Sequence, residues 1–157
     1  MRTIVPLAVV AGLIVGAVLF LWPGPGSGPE PIAYGRDACA QCRMHMGQRG
    51  FAAEMRDREG KLSKYDDVGC LLRAMVAAHE EIPAAWVEDH DDGTWVPLLD
   101  AQLVRAANVG TPMGYGLVAF QDEGAADAFI TANGGERVRL EEVLRHPGRL
   151  AEAERIP

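Results

Sequence analysis

The sequence predicts an α+β fold, in which two small units of β-β-α-β order pack as one ectodomain behind an N-terminal transmembrane helix. Three observations support this. Short strand-like runs alternate with two amphipathic helical patterns. Acidic residues precede both helices, where N-caps are favoured. The same element order occurs twice along the chain, in sub-units at about 34–92 and 93–147, before a polar tail at 148–157.

The N-terminus of the 157-residue chain contains an uncharged apolar run at residues 4–22. At about 1.5 Å per residue, this length nearly matches the ~30 Å hydrocarbon layer of a bilayer. We expect a retained signal anchor at 1–22, because the prolines that follow suit a signal-peptidase site poorly; a cleaved signal peptide is the alternative. Arg2 is the only charge before the run, which favours a cytoplasmic N-terminus and an ectodomain in the periplasm. Residues 23–33 form a Pro/Gly-rich linker, and the ectodomain covers 34–157.

Charge and cysteine content limit the classes of function. With 22 acidic and 15 basic residues, the chain has a formal net charge of −7. Such a surface does not suit nucleic acid, which requires a basic patch. Three cysteines in an exported domain are an odd number. Either one thiol therefore stays free, or all three bind a metal or remain reduced.

The first unit is predicted as strand, strand, helix, strand. Its predicted bounds are 50–55, 61–65, 67–81 and 84–88. Asp66 and Asp67 supply acidic N-caps for the helix, whose apolar residues follow at helical spacing. Cys70 lies in the first turn of this helix, and we expect it to be a small core residue rather than an activated thiol.

The second unit repeats this order. It is predicted to have a short edge strand at 94–97, a segment at 98–107 that is ambiguous between strand and helix, a strand at 116–120, a helix capped by Asp122, a strand at 136–139 and a helical turn at 140–145. Gly134 and Gly135 end the longer helix, since glycine is favoured just after a helix C-terminus.

The densest chemistry lies in the run Cys39-Ala-Gln-Cys42-Arg43-Met44-His45-Met46. Thiolates and thioethers are soft donors, which favour Cu(I) over hard ions such as Mg²⁺. Met44 and Met46 flank a histidine in a loop bounded by Gly and Arg, so we expect both thioethers to be accessible. Met55 and Met75 fall on periodic apolar positions and are expected in the core.

A Cys-x-x-Cys motif occurs in several kinds of site. Covalent haem attachment is excluded, because Arg43 stands where histidine would have to follow the second cysteine. Three alternatives to a Cu(I) site stay open: a zinc site from the three cysteines and one histidine, a thiol-disulfide redox pair, and an inert disulfide.

A second motif lies at the entrance to the strand at 116–120. Pro112 stiffens the approach, and Gly114 and Gly116 let the backbone bend around Met113. Either Met113 is presented on a rigid turn, or it closes the edge of the core.

Four blocks occur in order between about residues 39 and 144. They are Cys39-x-x-Cys42-x-Met44, Tyr65-Asp66-Asp67-Val68-Gly69-Cys70, Thr111-Pro112-Met113-Gly114-Tyr115-Gly116-Leu117-Val118-Ala119-Phe120 and Gly134-Gly135. Together they resemble the NosL family of nitrous oxide reductase accessory proteins, and the Pro-Met-Gly block is the most specific.

The resemblance implies a Cu(I)-binding periplasmic metallochaperone with tandem ββαβ units and no enzymatic turnover. Its partners would be a copper-enzyme client, nitrous oxide reductase by this resemblance, and the client's membrane assembly complex. The implied ligands are Met113, Cys39, Cys42 and Met44. A thiol-disulfide oxidoreductase using Cys39 and Cys42, and a zinc- or disulfide-stapled interaction module, are the alternative functions.

The sequence departs from the family pattern at three places. It lacks a lipidated cysteine after the apolar run. Arg43 stands where glycine is usual. Tyr115 occupies the position where some members place a histidine two residues after the methionine, so a Met-x-His copper pair is absent.

Overall fold

The computed structural model describes residues 28–78 and 84–146. The predicted anchor at 1–22 and the polar tail lie outside these residues. Within the two described ranges, no helix is long and apolar enough to cross a membrane.

The described chain folds into seven short strands and three helices. The bounds are β1 Ala53–Arg56, β2 Leu62–Tyr65, α1 Val68–Ala78, β3 Ala84–Glu88, β4 Trp95–Pro97, β5 Gln102–Arg105, β6 Leu117–Phe120, α2 Glu123–Asn133, β7 Glu136–Val138 and α3 Leu140–Arg145. The predicted α+β class is confirmed. The ambiguous segment at 98–107 contains strand β5, and the predicted helix at 67–81 is described from 68 to 78.

The strands form two antiparallel sheets, ordered β2-β1-β3-β4 and β6-β5-β7. In each sheet the first strand of the unit is central, flanked by the second strand and by the strand that follows the helix. The two halves therefore share one ββαβ topology. Strand β4 pairs with β3 in the first sheet, although the predicted division at residue 92 assigns this segment to the second unit.

Helix α1 lies between the two sheets. It contacts β1 and β2 on one side and β6 on the other. The whole stretch from Val68 to Leu72 is buried, because both sides of the first turns face a sheet. Strand β6 is buried at all four positions for a similar reason: Leu117 and Ala119 join the α1 core, and Val118 and Phe120 join a second core under α2.

The segment that enters the domain is bound to the first sheet. Arg56 donates a hydrogen bond to the carbonyl of Gly28 (3.0 Å), and the Lys64 ammonium donates one to the carbonyl of Pro31 (2.9 Å). Residues 28–33, the second half of the predicted linker, thus have fixed contacts with the ectodomain.

One carboxylate is buried on the side of this sheet that faces away from α1. Glu54 is fully buried, and its Oε2 accepts a hydrogen bond from the Glu30 N–H (2.7 Å). Its Oε1 is a buried acceptor with no partner among the described residues. Burial raises the pKa of Glu54, because leaving water disfavours the charged form.

Replacing Glu54 with glutamine should stabilise the protein at neutral and alkaline pH. A carboxyl whose folded-state pKa is raised contributes stability at low pH, and this contribution is lost as pH rises towards the folded-state pKa. The difference in free energy of unfolding between Glu54→Gln and wild type should grow from pH 4 to pH 8. Urea titrations at these pH values measure it. The exposed Glu59→Gln is the control and should show no such trend; a flat difference for both variants would contradict the prediction.

Candidate metal centre

The Cys-x-x-Cys motif lies at the tip of a small hairpin-like loop. An isolated β-bridge joins Ala38 to His45, and the Cys39 N–H donates to the Met44 carbonyl (2.9 Å). The Arg43 N–H then donates to the Cys39 carbonyl (3.0 Å), which closes a tight turn. The Cys42 N–H points at the Cys39 sulfur (3.5 Å), so the backbone of the turn is directed at a thiol.

A second segment brings two more donors to this turn. Tyr65 ends β2, and the chain then passes through Asp66 and Asp67 into the first turn of α1, which contains Cys70. Ligand atoms of Cys39, Cys42, Asp66 and Cys70 all lie within 4.8 Å of one another. Two sulfurs bound on opposite sides of one ion, at about 2.3 Å each, would be roughly 4.6 Å apart. The cluster is therefore compact enough for a single metal ion.

Hydrogen bonds distribute the protons among the thiols. The thiol of Cys70 donates to Cys39, and together with backbone N–H groups this lowers the pKa of Cys39. The same hydrogen bond, followed by burial, raises the pKa of Cys70. Burial raises the pKa of Cys42, whose sulfur lies 3.4 Å from Asp66 Oδ1, and burial also raises the pKa of Asp66. These hydrogen bonds favour a thiolate at Cys39 over a thiolate at Cys42 or Cys70.

The cluster has one partly open side. Cys39 and Cys70 are fully buried, whereas Cys42 is only partly buried. Met44, two residues after Cys42 in the sequence, is 47% exposed. An ion could therefore reach the buried thiols past Cys42 and the loop that carries Met44.

The structure corrects the prediction for Met46. Its thioether was expected to be accessible, but the side chain is fully buried. The Met46 N–H donates to the Asp37 carbonyl (2.9 Å), which ties the returning arm of the loop to the outgoing arm and places this side chain in the interior. Met44, two residues nearer the tip, remains exposed.

Met113 comes from the other half of the chain. It lies before β6, is partly buried, and packs against the hydrophobic core around α1, which includes Cys39 and Cys70. Its N–H donates to Asp67 Oδ2 (3.0 Å). Of the four predicted ligands, Cys39 and Cys42 lie in the cluster and Met113 packs against the core that contains Cys39, whereas Met44 is an exposed side chain two residues after Cys42.

Asp66 is the one member of the cluster that the sequence did not suggest as a ligand, and Cys70 was considered as a ligand only in the zinc alternative. Cys70 is in the core as expected, but its sulfur also contacts the thiol of Cys39. Asp66 was interpreted as a helix cap, and Asp67 alone fills that role by accepting from the Gly69 N–H (2.7 Å). The Asp-Asp doublet contained the signal, because a helix needs one N-cap and the second carboxylate was left without a role.

The donor set determines which chemistry is possible. Three thiols and a carboxylate in a mostly dry site suit a soft or borderline metal ion, such as Cu(I) or Zn(II), better than Mg²⁺ or Ca²⁺. All three cysteines are free thiols, so the inert disulfide is not formed in this structure. The fold and the site together define a small α+β protein with a candidate centre for a thiophilic metal.

Comparison with known proteins agrees with this class. The NosL family model matches residues 32–146, and the chain belongs to the NosL family. The crystal structure of the copper chaperone NosL from Shewanella denitrificans has the same fold, with a TM-score of 0.64 and 17% sequence identity. The match covers 73% of this chain and 94% of that one. No curated protein matches the sequence.

Arg43 has the one positive φ (68°) at a non-glycine position within the described ranges. Arg43→Gly should therefore raise the free energy of unfolding by about 0.5–1 kcal/mol, since glycine adopts this conformation without a Cβ clash. Chemical denaturation of the metal-free protein measures the change. Arg36→Gly, at an exposed arginine just before this loop whose φ is not positive, should instead be neutral or destabilising. Equal effects of the two substitutions would contradict the argument.

Proposed function

We propose that this protein is a copper chaperone that binds Cu(I) at the cysteine cluster and transfers it to a copper enzyme. The convergence of three thiols from two separate segments carries the proposal. Membership of the NosL family supports it, as does the fold shared with a protein described as a copper chaperone. The role is non-enzymatic, since the protein carries an ion and turns nothing over.

The thiols of Cys39, Cys42 and Cys70 are the proposed main ligands, with thioethers from Met113 and Met44. Thiolates bind Cu(I) strongly, and thioethers need no deprotonation. Because Cys42 and Cys70 hold protons in the metal-free protein, binding releases protons and weakens as pH falls.

The proposed route for transfer is the partly open side of the cluster. Cu(I) accepts two or three soft ligands, so an incoming thiolate or thioether can add before another ligand leaves. Cys42 and Met44 are the ligands that a partner protein reaches first, because Cys39 and Cys70 are fully buried. A ligand that is half exposed gives exchange without unfolding the site.

The client and the location are further parts of the proposal. The family resemblance favours nitrous oxide reductase as the client, with a membrane assembly complex as partner. The apolar run at 4–22 favours a single-pass anchor in the cytoplasmic membrane, with the ectodomain in the periplasm. The acidic net charge of −7 argues against nucleic acid as a partner.

A zinc-stapled module is the second candidate, because one observation favours it. Asp66 completes a set of four donors, and four ligands in a buried site are typical of structural zinc. A thiol-disulfide oxidoreductase is disfavoured by the same geometry. Its attacking thiolate must be accessible, whereas the thiol with the lowered pKa, Cys39, is buried and the accessible Cys42 has a raised pKa.

An anaerobic Cu(I) competition titration tests the proposal on the full chain in detergent, with bicinchoninate as the competing chelator. One equivalent should bind tightly, and Cys42→Ser and Cys70→Ser should each lower the affinity by about 100-fold or more. Met113→Leu should lower it by about 10-fold, because a thioether is a weaker ligand than a thiolate. Met55→Leu, which removes a thioether from β1, is the matched control and should bind like wild type.

A parallel Zn(II) titration separates the two candidates. Tight Zn(II) binding with weak Cu(I) binding, and loss of the folded state in the presence of a zinc chelator, would overturn the copper proposal in favour of the stapled module. If Cu(I) binds tightly and no cysteine substitution changes the affinity, the cysteine cluster is not the copper site.

A further inference from the structure

The two halves of the chain meet at one buried carboxylate. Asp67 is fully buried just before α1. Its Oδ1 accepts from the Gly69 N–H (2.7 Å) and its Oδ2 from the Met113 N–H (3.0 Å), while the Thr111 hydroxyl also hydrogen-bonds to it. One donor from the start of α1 and two from a loop more than 40 residues further along the chain therefore surround a single side chain.

These hydrogen bonds are required by energetics. A buried carboxylate is strongly disfavoured unless donors replace the water that it loses. Two of its donors, the Thr111 hydroxyl and the Met113 N–H, belong to the loop before β6. If that loop moved away, Asp67 would lose both, so the position of the loop is fixed relative to the start of α1.

The backbone of Asp67 connects the same point to the cysteine cluster. Its carbonyl accepts from the Cys70 N–H (3.0 Å), and its neighbour Asp66 is a member of the cluster. The side chain of Asp67 thus binds the methionine loop, while its main chain orients a thiol. No ligand atom of the cluster is contributed by Asp67 itself.

The loop before β6 is held in one conformation, so fixing it to Asp67 also fixes the position of Met113. The Gly116 N–H donates to the Thr111 hydroxyl (3.3 Å), and Gly114 and Gly116 have φ of 71° and 61°. Tyr115 lies directly against α1: a Cβ at Gly69 would come within 2.2 Å of its ring. A closed turn with two attachments to α1 leaves little freedom for Met113.

We infer that Asp67 is a positioning residue, which holds the Met113 thioether against the cysteine cluster so that both belong to one copper site. The inference rests on the proposed function and extends it, because it explains how a ligand from the second half reaches a site built by the first. Asp67 acts through the Met113 backbone and touches no metal.

Asp67→Asn is the test. Asparagine is isosteric and its oxygen can still accept from Gly69, but its amide nitrogen cannot accept from the Met113 N–H. The Cu(I) affinity of the full chain should fall by about 10-fold or more, as for loss of an outer hydrogen-bond partner of a metal ligand. X-ray absorption at the copper K-edge should show the same loss of sulfur scattering in Asp67→Asn as in Met113→Leu.

The double variant separates positioning from general stability. If Asp67 acts through Met113, Asp67→Asn combined with Met113→Leu should bind Cu(I) no more weakly than the weaker of the two single variants. Additive losses would overturn the inference. Asp89→Asn is the matched control: Asp89 is also buried and accepts from the Gln121 N–H (2.7 Å), but it lies outside the cluster and should leave copper affinity unchanged.

The other results of these titrations distinguish failure of the Asp67 inference from failure of the proposed copper function. If Met113→Leu weakens binding and Asp67→Asn does not, positioning fails and the copper function stands. If Met113→Leu keeps the wild-type Cu(I) affinity while the cysteine variants lose affinity, Met113 is not a ligand, and the inference is overturned. If circular dichroism shows that Asp67→Asn does not fold, Thr111→Val is used in its place. This variant removes one of the donors to Asp67 and should also lower the Cu(I) affinity. A wild-type affinity for Thr111→Val would overturn the inference.

Discussion

Burial of the first turns of α1 between two sheets is the constraint on which the rest of the structure depends. Every residue from Val68 to Leu72 is buried, so the N–H groups at the start of this helix have no access to water. Asp67 satisfies part of that requirement through Gly69, and its remaining capacity is used by the loop before β6. The cap of one helix is thereby also the joint between the two halves.

The candidate metal centre occupies the same place for a physical reason. Backbone N–H groups near a dry helix N-terminus stabilise negative charge, and the Cys39 sulfur, which accepts from the Asp66 N–H just before α1, carries that charge as a thiolate. The turn at residues 39–42 adds its own N–H groups to the Cys39 sulfur. Donors that solvate one thiolate in the metal-free protein also lower the cost of gathering several thiolates around a cation.

Much of the fold was predictable because its signals are local. Asp122 caps α2 and Gly134 ends it, as the sequence indicates. Strand β5 was ambiguous because Leu103 and Val104 are both buried, on opposite faces, which removes the alternation that marks a half-exposed strand. The cluster was predictable only in part, since the meeting of residues 39, 66 and 70 depends on tertiary packing. Met46 was misassigned because polar neighbours in sequence do not reveal which way a bridged loop faces.

Assembly of the centre from separate segments has a consequence for folding. Cys39 and Cys42 lie in a loop before β1, Cys70 lies in α1, and Met113 lies in the second half of the chain. These residues are close only when both sheets have packed on α1, so an ion that binds all of them binds the folded state selectively. Such binding stabilises the fold by RT ln(1 + [L]/Kd), which is about 4 kcal/mol when the free ion is 1,000 times its Kd. If the ion were transferred to a client, this term would be lost. The contacts of Asp67 do not involve the ion, and they hold the start of α1 and the loop before β6 together in the metal-free structure.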